Sequence, residues 1–133
     1  MNIKKIILLL PAFVLLFGCP ENDDTITQEE TELQNVTHEV ILFEFTPDTG
    51  NNSSRLRYEI TFTNPNDIPV NGAHKVTLNI DGLISSNIAT DSSPCYLIEG
   101  NSDCTISFDE EESLDLATIN SIELVSVEYI FVN

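Results

Sequence analysis

Arg55-Leu56-Arg57-Tyr58-Glu59-Ile60-Thr61-Phe62-Thr63 is the stretch that decides the fold class. Leu56, Tyr58, Ile60 and Phe62 alternate strictly with Arg57, Glu59, Thr61 and Thr63. A pleated strand turns successive side chains to opposite faces, so this order puts the large apolar groups on one face and the polar ones on the other. Working outward, Val76, Leu78 and Ile80 repeat the pattern, as do Cys104, Ile106 and Phe108, and Val125, Val127, Tyr129 and Phe131. Val36 to Phe45 carries apolar groups on both parities, which suits a central strand or a strand that changes faces at a bulge.

Turn chemistry separates these runs: Pro47-Asp48-Thr49-Gly50-Asn51-Asn52, Asn64-Pro65-Asn66-Asp67, Asn71-Gly72, Asp81-Gly82, Ser93-Pro94 and Gly100-Asn101. Gly and Asn accept the positive φ of tight turns, and Pro fixes φ while removing a donor. No long amphipathic helix is legible; one short turn is expected at Glu111 to Ala117. The expectation is an all-β chain whose residues 36–133 form a single immunoglobulin-like antiparallel β-sandwich of about seven strands.

Thr63-Asn64-Pro65-Asn66-Asp67-Ile68-Pro69-Val70, followed by Val76-Thr77-Leu78-Asn79-Ile80-Asp81-Gly82, resembles the Asn-Pro-Asn segment and next strand of water-stress, late-embryogenesis-type domains. Ile98-Glu99-Gly100 leading into Ile106-Ser107-Phe108 is similar to their later hairpin. The resemblance covers about half of residues 19–133. It implies an immunoglobulin-like fold and supplies no catalytic residues.

The front of the chain reads differently. Lys4 and Lys5 precede an apolar run from Ile6 to Phe17, then Gly18 and Cys19. The run is far below the roughly 20 residues needed to span a bilayer, and the layout is that of an export signal. Leu16-Phe17-Gly18-Cys19 resembles a lipobox, with Phe17 departing from the usual small middle residue. The resemblance implies a signal peptide over residues 1–18 and a diacylglyceryl group on the Cys19 sulfur, with a further acyl chain such as palmitate on its amine. Two or more chains hold a protein firmly where one holds it marginally.

Residues 19–35 hold six acids, no basic residue, and little to bury beyond Ile26 and Leu33. Such a segment cannot offset the entropy of ordering and reads as a flexible tether. Its reach as a coil is roughly 20 to 25 Å. Pro20-Glu21-Asn22-Asp23-Asp24 is similar to the surface-export signals of Bacteroidetes lipoproteins, and Asp24-Thr25-Ile26 looks like the O-glycosylation motif of that phylum, with Thr25 as acceptor. Together these imply a surface-exposed lipoprotein, anchored to the outer membrane of the cell envelope through Cys19.

Once the signal is removed, Arg55, Arg57 and Lys75 face all 22 acids, a formal charge of −19. Nucleic-acid binding relies on Lys and Arg that displace counterions from phosphates, so nucleic acid is excluded as a partner on this reading.

Cys95 and Cys104 are the cysteines left for each other, and Gly100-Asn101 sits between them like a hairpin turn. In an exported chain such a pair is expected to be oxidised. His38 and His74 lack zinc-ligand spacing. The run Asp109 to Glu112, with Asp115, lacks the order of a calcium loop and reads as a solvated loop. No metal or other cofactor is expected. Neither a Gly-x-Ser-x-Gly elbow nor a Gly-rich phosphate loop occurs, so no enzyme is expected.

Without Trp, Tyr96 is the one aromatic candidate for stacking on a sugar, because Tyr58 and Tyr129 fall on core faces. The functional expectation is a non-enzymatic display module that binds a protein or glycan through loops, with Asp48, Asn51, Asn52, Tyr96 and Asn101 as candidate contacts. The alternative is a structural accessory subunit of an envelope assembly, or an envelope-stress protein, whose edge strand completes a larger sheet.

Overall fold

The computed structural model describes residues 32–115 and 117–132. The signal peptide, the lipobox with Cys19, and Thr25 lie outside the described residues.

Seven strands follow one another: β1 (Thr37–Thr46), β2 (Ser53–Asn64), β3 (Val70–Ile80), β4 (Leu83–Ile88), β5 (Leu97–Ile98), β6 (Ser102–Ser113) and β7 (Ile122–Phe131). All pairings are antiparallel. One sheet runs β1-β2-β6. In the other, β3 is central: β7 pairs along it over Gly72 to Ile80, while β4 pairs with Lys75 to Ile80 and the short β5 with Val70 and Asn71. The chain is therefore a β-sandwich, as the alternation predicts. Consecutive strands β2 and β3 lie in different sheets, as the second and third strands of immunoglobulin-like sandwiches do.

The central strand of each sheet supplies the core. Ile60 and Phe62 of β2 are fully buried, and Tyr58 nearly so; against them pack Val70 and Val76 of β3, Ile98, Ile106 and Val127. Tyr58 lies flat on Phe108 with ring centroids 4.8 Å apart, and Phe62 meets Tyr129 at 5.7 Å. The mixed parity of the first strand is resolved by a bulge between Val40 and Leu42, which leaves Ile41 exposed. A second bulge lies in β7 opposite Thr77 and Leu78.

Asp81-Gly82 closes the β3–β4 hairpin in two residues, with φ of 46° and 91°. Both values are left-handed, as the turn type that matches strand twist demands, which is why Asp-Gly stands there. The Asp81 carboxylate also accepts from the backbone N–H groups of Asn120 and Ser121 at 3.0 and 2.8 Å. These bonds, led by that of Asn120, hold its pKa below the ordinary carboxylate value.

Cys95 and Cys104 form the expected disulfide. The connection between them differs from the hairpin expected. β5 pairs with β3 in one sheet while β6 pairs with β2 in the other, so the turn at Gly100 and Asn101 carries the chain between sheets. The disulfide is a staple across the sandwich, and its loop of nine-residue separation contributes about 2 to 3 kcal/mol on the chain-entropy model.

The acidic run also differs. Asp109 to Glu112 is strand rather than solvated loop, because β6 continues to Ser113 in register with Ser53 to Arg57. Arg55 grips Asp109 with two bonds of 2.7 and 2.8 Å. Glu111 accepts from the Ser53 hydroxyl, so half of the run is compensated by β2. The short turn expected at Glu111 to Ala117 shrinks to Leu114 and Asp115.

Candidate functional site

The poles of the sandwich are unlike. At one, the chain enters: Gln34 donates its N–H to Asn66 Oδ1 (2.8 Å) and accepts from Asn66 Nδ2 (2.9 Å), and Val36 is buried. Asn66 thus acts as a side-chain substitute for a paired strand, and fixes where the segment from the N-terminus joins. The same pole holds the turn with Asn101, whose N–H bonds to Asn66 O at 2.7 Å. At the other pole lie the β1–β2 turn, the end of β6 and the approach to β7. The separation is the length of β2, about 36 Å at 3.3 Å per residue.

The five loop residues singled out from sequence are not brought together. Asp48, Asn51 and Asn52 sit at the far pole, where Asn52 Nδ2 donates to Asp115 Oδ1 at 2.6 Å and Asp48 Oδ1 accepts from the Gly50 N–H at 2.8 Å. Asn101 belongs to the pole where the chain enters. Tyr96 is half-buried, and its carbonyl accepts from the Tyr129 hydroxyl at 2.9 Å and the Gly72 N–H at 2.8 Å. Both bonds engage the backbone of Tyr96 and fix its position beside β3.

What the far pole does hold is a cleft of about 280 Å³ between the sheets, with Phe45, Leu56, Phe108, Ile119 and Ile122 as apolar lining and Glu110 and Glu112 on its wall. The glutamates arrive there by parity. Cys104, Ile106 and Phe108 face the core, so the next two residues of the same parity continue that face to the mouth of the cleft, where both are solvent-exposed. The register sets Glu110 opposite Leu56 and Glu112 opposite Ser54. Their odd-numbered neighbours Asp109 and Glu111 have partners, whereas no ion pair or hydrogen bond from the described residues reaches the side chain of Glu110 or Glu112. The Tyr58 pKa is raised, first by burial and then by the charge of Glu110.

Sequence reasoning missed these two residues. The signal was there: extending the period-two reading from Phe108 by four residues puts both glutamates on the same face as Phe108. An apolar cleft walled by unpaired carboxylates suits a group with an apolar stem and a cationic head, such as a lysine or arginine side chain. The two carboxylates are neighbours on one strand and point the same way. An acid–base pair acting on a bond between them would instead face each other across the cleft.

A second opening, of about 360 Å³, lies between β4 and β6 and is lined by Tyr58, His74, Asn87, Thr105, Ser107 and Phe108 among others. His74 stacks on Phe62 at 5.6 Å, and its Nδ1 is buried without a protein partner. Burial lowers its pKa from the ordinary imidazole value. A histidine whose folded pKa lies below its unfolded one gives full stability above about pH 6.5, and loses it as pH falls toward the folded pKa. The wild type should therefore lose Tm between about pH 7 and pH 5, and His74→Leu should lose less over the same window. Parallel curves from thermal denaturation would remove His74 from the acid response.

Among the described residues no group of His, Cys, Asp and Glu is placed to hold a metal ion, and no helix is long and apolar enough to cross a membrane. No family model, curated protein or solved structure matches the chain.

Proposed function

We propose that this chain is a non-enzymatic, lipid-anchored envelope protein that displays its sandwich at the outer membrane surface for binding to a partner protein. The observation that carries the binding reading is the cleft lined by the exposed, unpaired Glu110 and Glu112, located at the pole opposite the junction at Gln34 and Val36. A lipid on Cys19 and a tether joined at the near pole would leave this cleft the more accessible. Its lining is apolar and acidic, with Phe45 and Phe108 half-buried and neither Trp nor Tyr in it, which favours a basic side chain of a protein over a glycan.

Two arms test the reading separately. Labelled palmitate should enter the wild type and not Cys19→Ser, and protease added to intact cells should remove the domain of the wild type. Absence of label, or equal label on both, sinks the anchor. For the cleft, the wild-type chain should retain a protein from envelope extract that the Glu110→Gln/Glu112→Gln pair retains at least about tenfold less, with retention weakening in high salt. The same proteins held equally by both chains would remove the cleft from recognition.

A further inference from the structure

A sheet edge presents unpaired N–H and C=O groups, and stable proteins blunt such edges with charge, proline or bulges. This sandwich has four principal edges, and three of them carry such a device. β1 has the bulge at Ile41 together with Glu39 and Glu44. β7 has the bulge at Val125, with Glu123 and Glu128. β6 carries Asp103 and the run Asp109 to Glu112.

β4 carries none. Leu83-Ile84-Ser85-Ser86-Asn87-Ile88 has no charge, no proline and no bulge, and all six residues are exposed. Leu83, Ile84 and Ile88 are 75%, 64% and 54% accessible.

We propose that β4 is the edge along which a second copy of this chain adds, joining the two β3-centred sheets through a two-fold axis at Ser86. The proposal is independent of the cleft at the far pole.

Three features of β4 select this occupant and its register. The first is hydrogen-bond parity. Ile80 pairs with Leu83 across the two-residue turn, and the Ala89 N–H bonds His74 O in the same ladder at 2.9 Å. Odd-numbered residues of β4 therefore bond inward to β3, and Ile84, Ser86 and Ile88 direct their backbone groups outward.

The second is self-complementarity. With Ser86 opposite its own copy, Ile84 faces Ile88 of the second chain and Ile88 faces Ile84, while on the other face Ser85 meets Asn87. Apolar groups oppose apolar and polar oppose polar, and about six backbone hydrogen bonds form. A slip of two residues between the chains sets Ile84 against Ser86 and loses the match.

The third is charge. Three basic residues stand against sixteen acids from residue 36 onward, a net charge of −13 for each sandwich. Two copies repel at every edge lined by carboxylates, and β4 is where six paired residues meet without an acid among them, the nearest like charges being Asp81 and Asp91 beyond the ends of the strand.

The test uses the purified full chain in mild detergent with micelles in excess of protein. Sedimentation should show monomer passing to dimer as concentration rises from about 10 µM to about 1 mM, since a contact of one strand pair is small. Added salt should raise the dimer fraction, because it screens repulsion between like-charged copies. Ser86→Pro removes an outward N–H that the β3 ladder does not use, together with the 3.0 Å bond between the Ser86 and Thr77 hydroxyls. It should stay monomeric with a Tm only a few degrees lower, and Ser86→Ala alone should show that loss of Tm without losing the dimer.

Ser86→Cys should oxidise to a covalent dimer at least about tenfold faster than Ser85→Cys, because paired residues at the axis bring their Cα atoms within about 5.5 Å. A chain that remains monomeric throughout, a dimer that survives Ser86→Pro, a dimer that weakens in salt, or equal cross-linking at 85 and 86 would each overturn the proposal.

Discussion

Asn64→Ala should destabilise the sandwich by about 3 kcal/mol, and so lower Tm by about 12 to 20 °C for a domain of this size. Asn64 is fully buried at the end of β2. Its Nδ2 lies 2.9 Å from Ile68 O, 3.2 Å from Ile98 O and 3.0 Å from Glu99 O, so two N–H bonds are shared among three carbonyls. Its Oδ1 accepts from the Asn66 N–H at 3.0 Å and from Asn66 Nδ2 at 2.8 Å.

One amide thus ties the β2–β3 connection to the turn between β5 and β6 and orients the residue that receives Gln34. Alanine leaves two donors and several carbonyls without partners in a site closed to water, and each such loss costs about 1 to 3 kcal/mol. Asn64→Asp should fare no better, because it keeps the acceptor, loses both donors and sets a carboxylate against three carbonyls. Chemical denaturation of both variants checks this: a loss below about 1 kcal/mol for Asn64→Ala would show that solvent or relaxation satisfies the network.

The turn sequence Asn64-Pro65-Asn66 acquires a physical meaning from these bonds. Pro65 gives up a donor where none is required, Asn64 serves the turns inside, and Asn66 serves the incoming segment. The type of structure at β2 was legible because one face is buried and the other solvated, so the period-two signal is undiluted. It fails at β4, whose six residues are all exposed and show no alternation; only the Asp81-Gly82 turn announces it.

The acidic run fails for a different reason. Its residues have low intrinsic preference for strands, and what holds them there is Arg55, Arg57 and Ser53 on a strand more than fifty residues away. Partners at that distance are invisible to a local reading. The swap of sheets at Gly100 is equally non-local, whereas the disulfide was legible because two cysteines remained for each other. Of the candidate site, the two glutamates were within reach of parity. The cleft was not, since Phe45, Leu56 and Ile122 come from three separate strands.

Gly72→Ala should be the other severe substitution, costing about 2 to 3 kcal/mol. Gly72 is buried in β3, directly opposite Phe131 of β7. A Cβ there would stand 2.6 Å from the Ile130 carbonyl oxygen and 2.9 Å from Tyr129 Cζ, and would run into Tyr129 Cε1. The carbonyl is backbone of the neighbouring strand and cannot rotate away without disturbing the β3–β7 ladder.

The tyrosine ring has little more freedom. Its hydroxyl is bonded to Tyr96 O, and the ring is wedged between Phe62 and Phe131 at 5.7 and 6.0 Å. Relief must come from separating the strands, which would weaken pairing near Val70 and Ile98 as well. In a partner test, Gly72→Ala combined with Tyr129→Leu removes the ring but not the carbonyl. If the ring is the main obstacle, the double variant should be more stable than the sum of the single losses by at least about 0.5 kcal/mol. If the carbonyl is, the losses should simply add. A Gly72→Ala chain as stable as the wild type would mean that β7 can shift outward freely, against the close strand approach at this point.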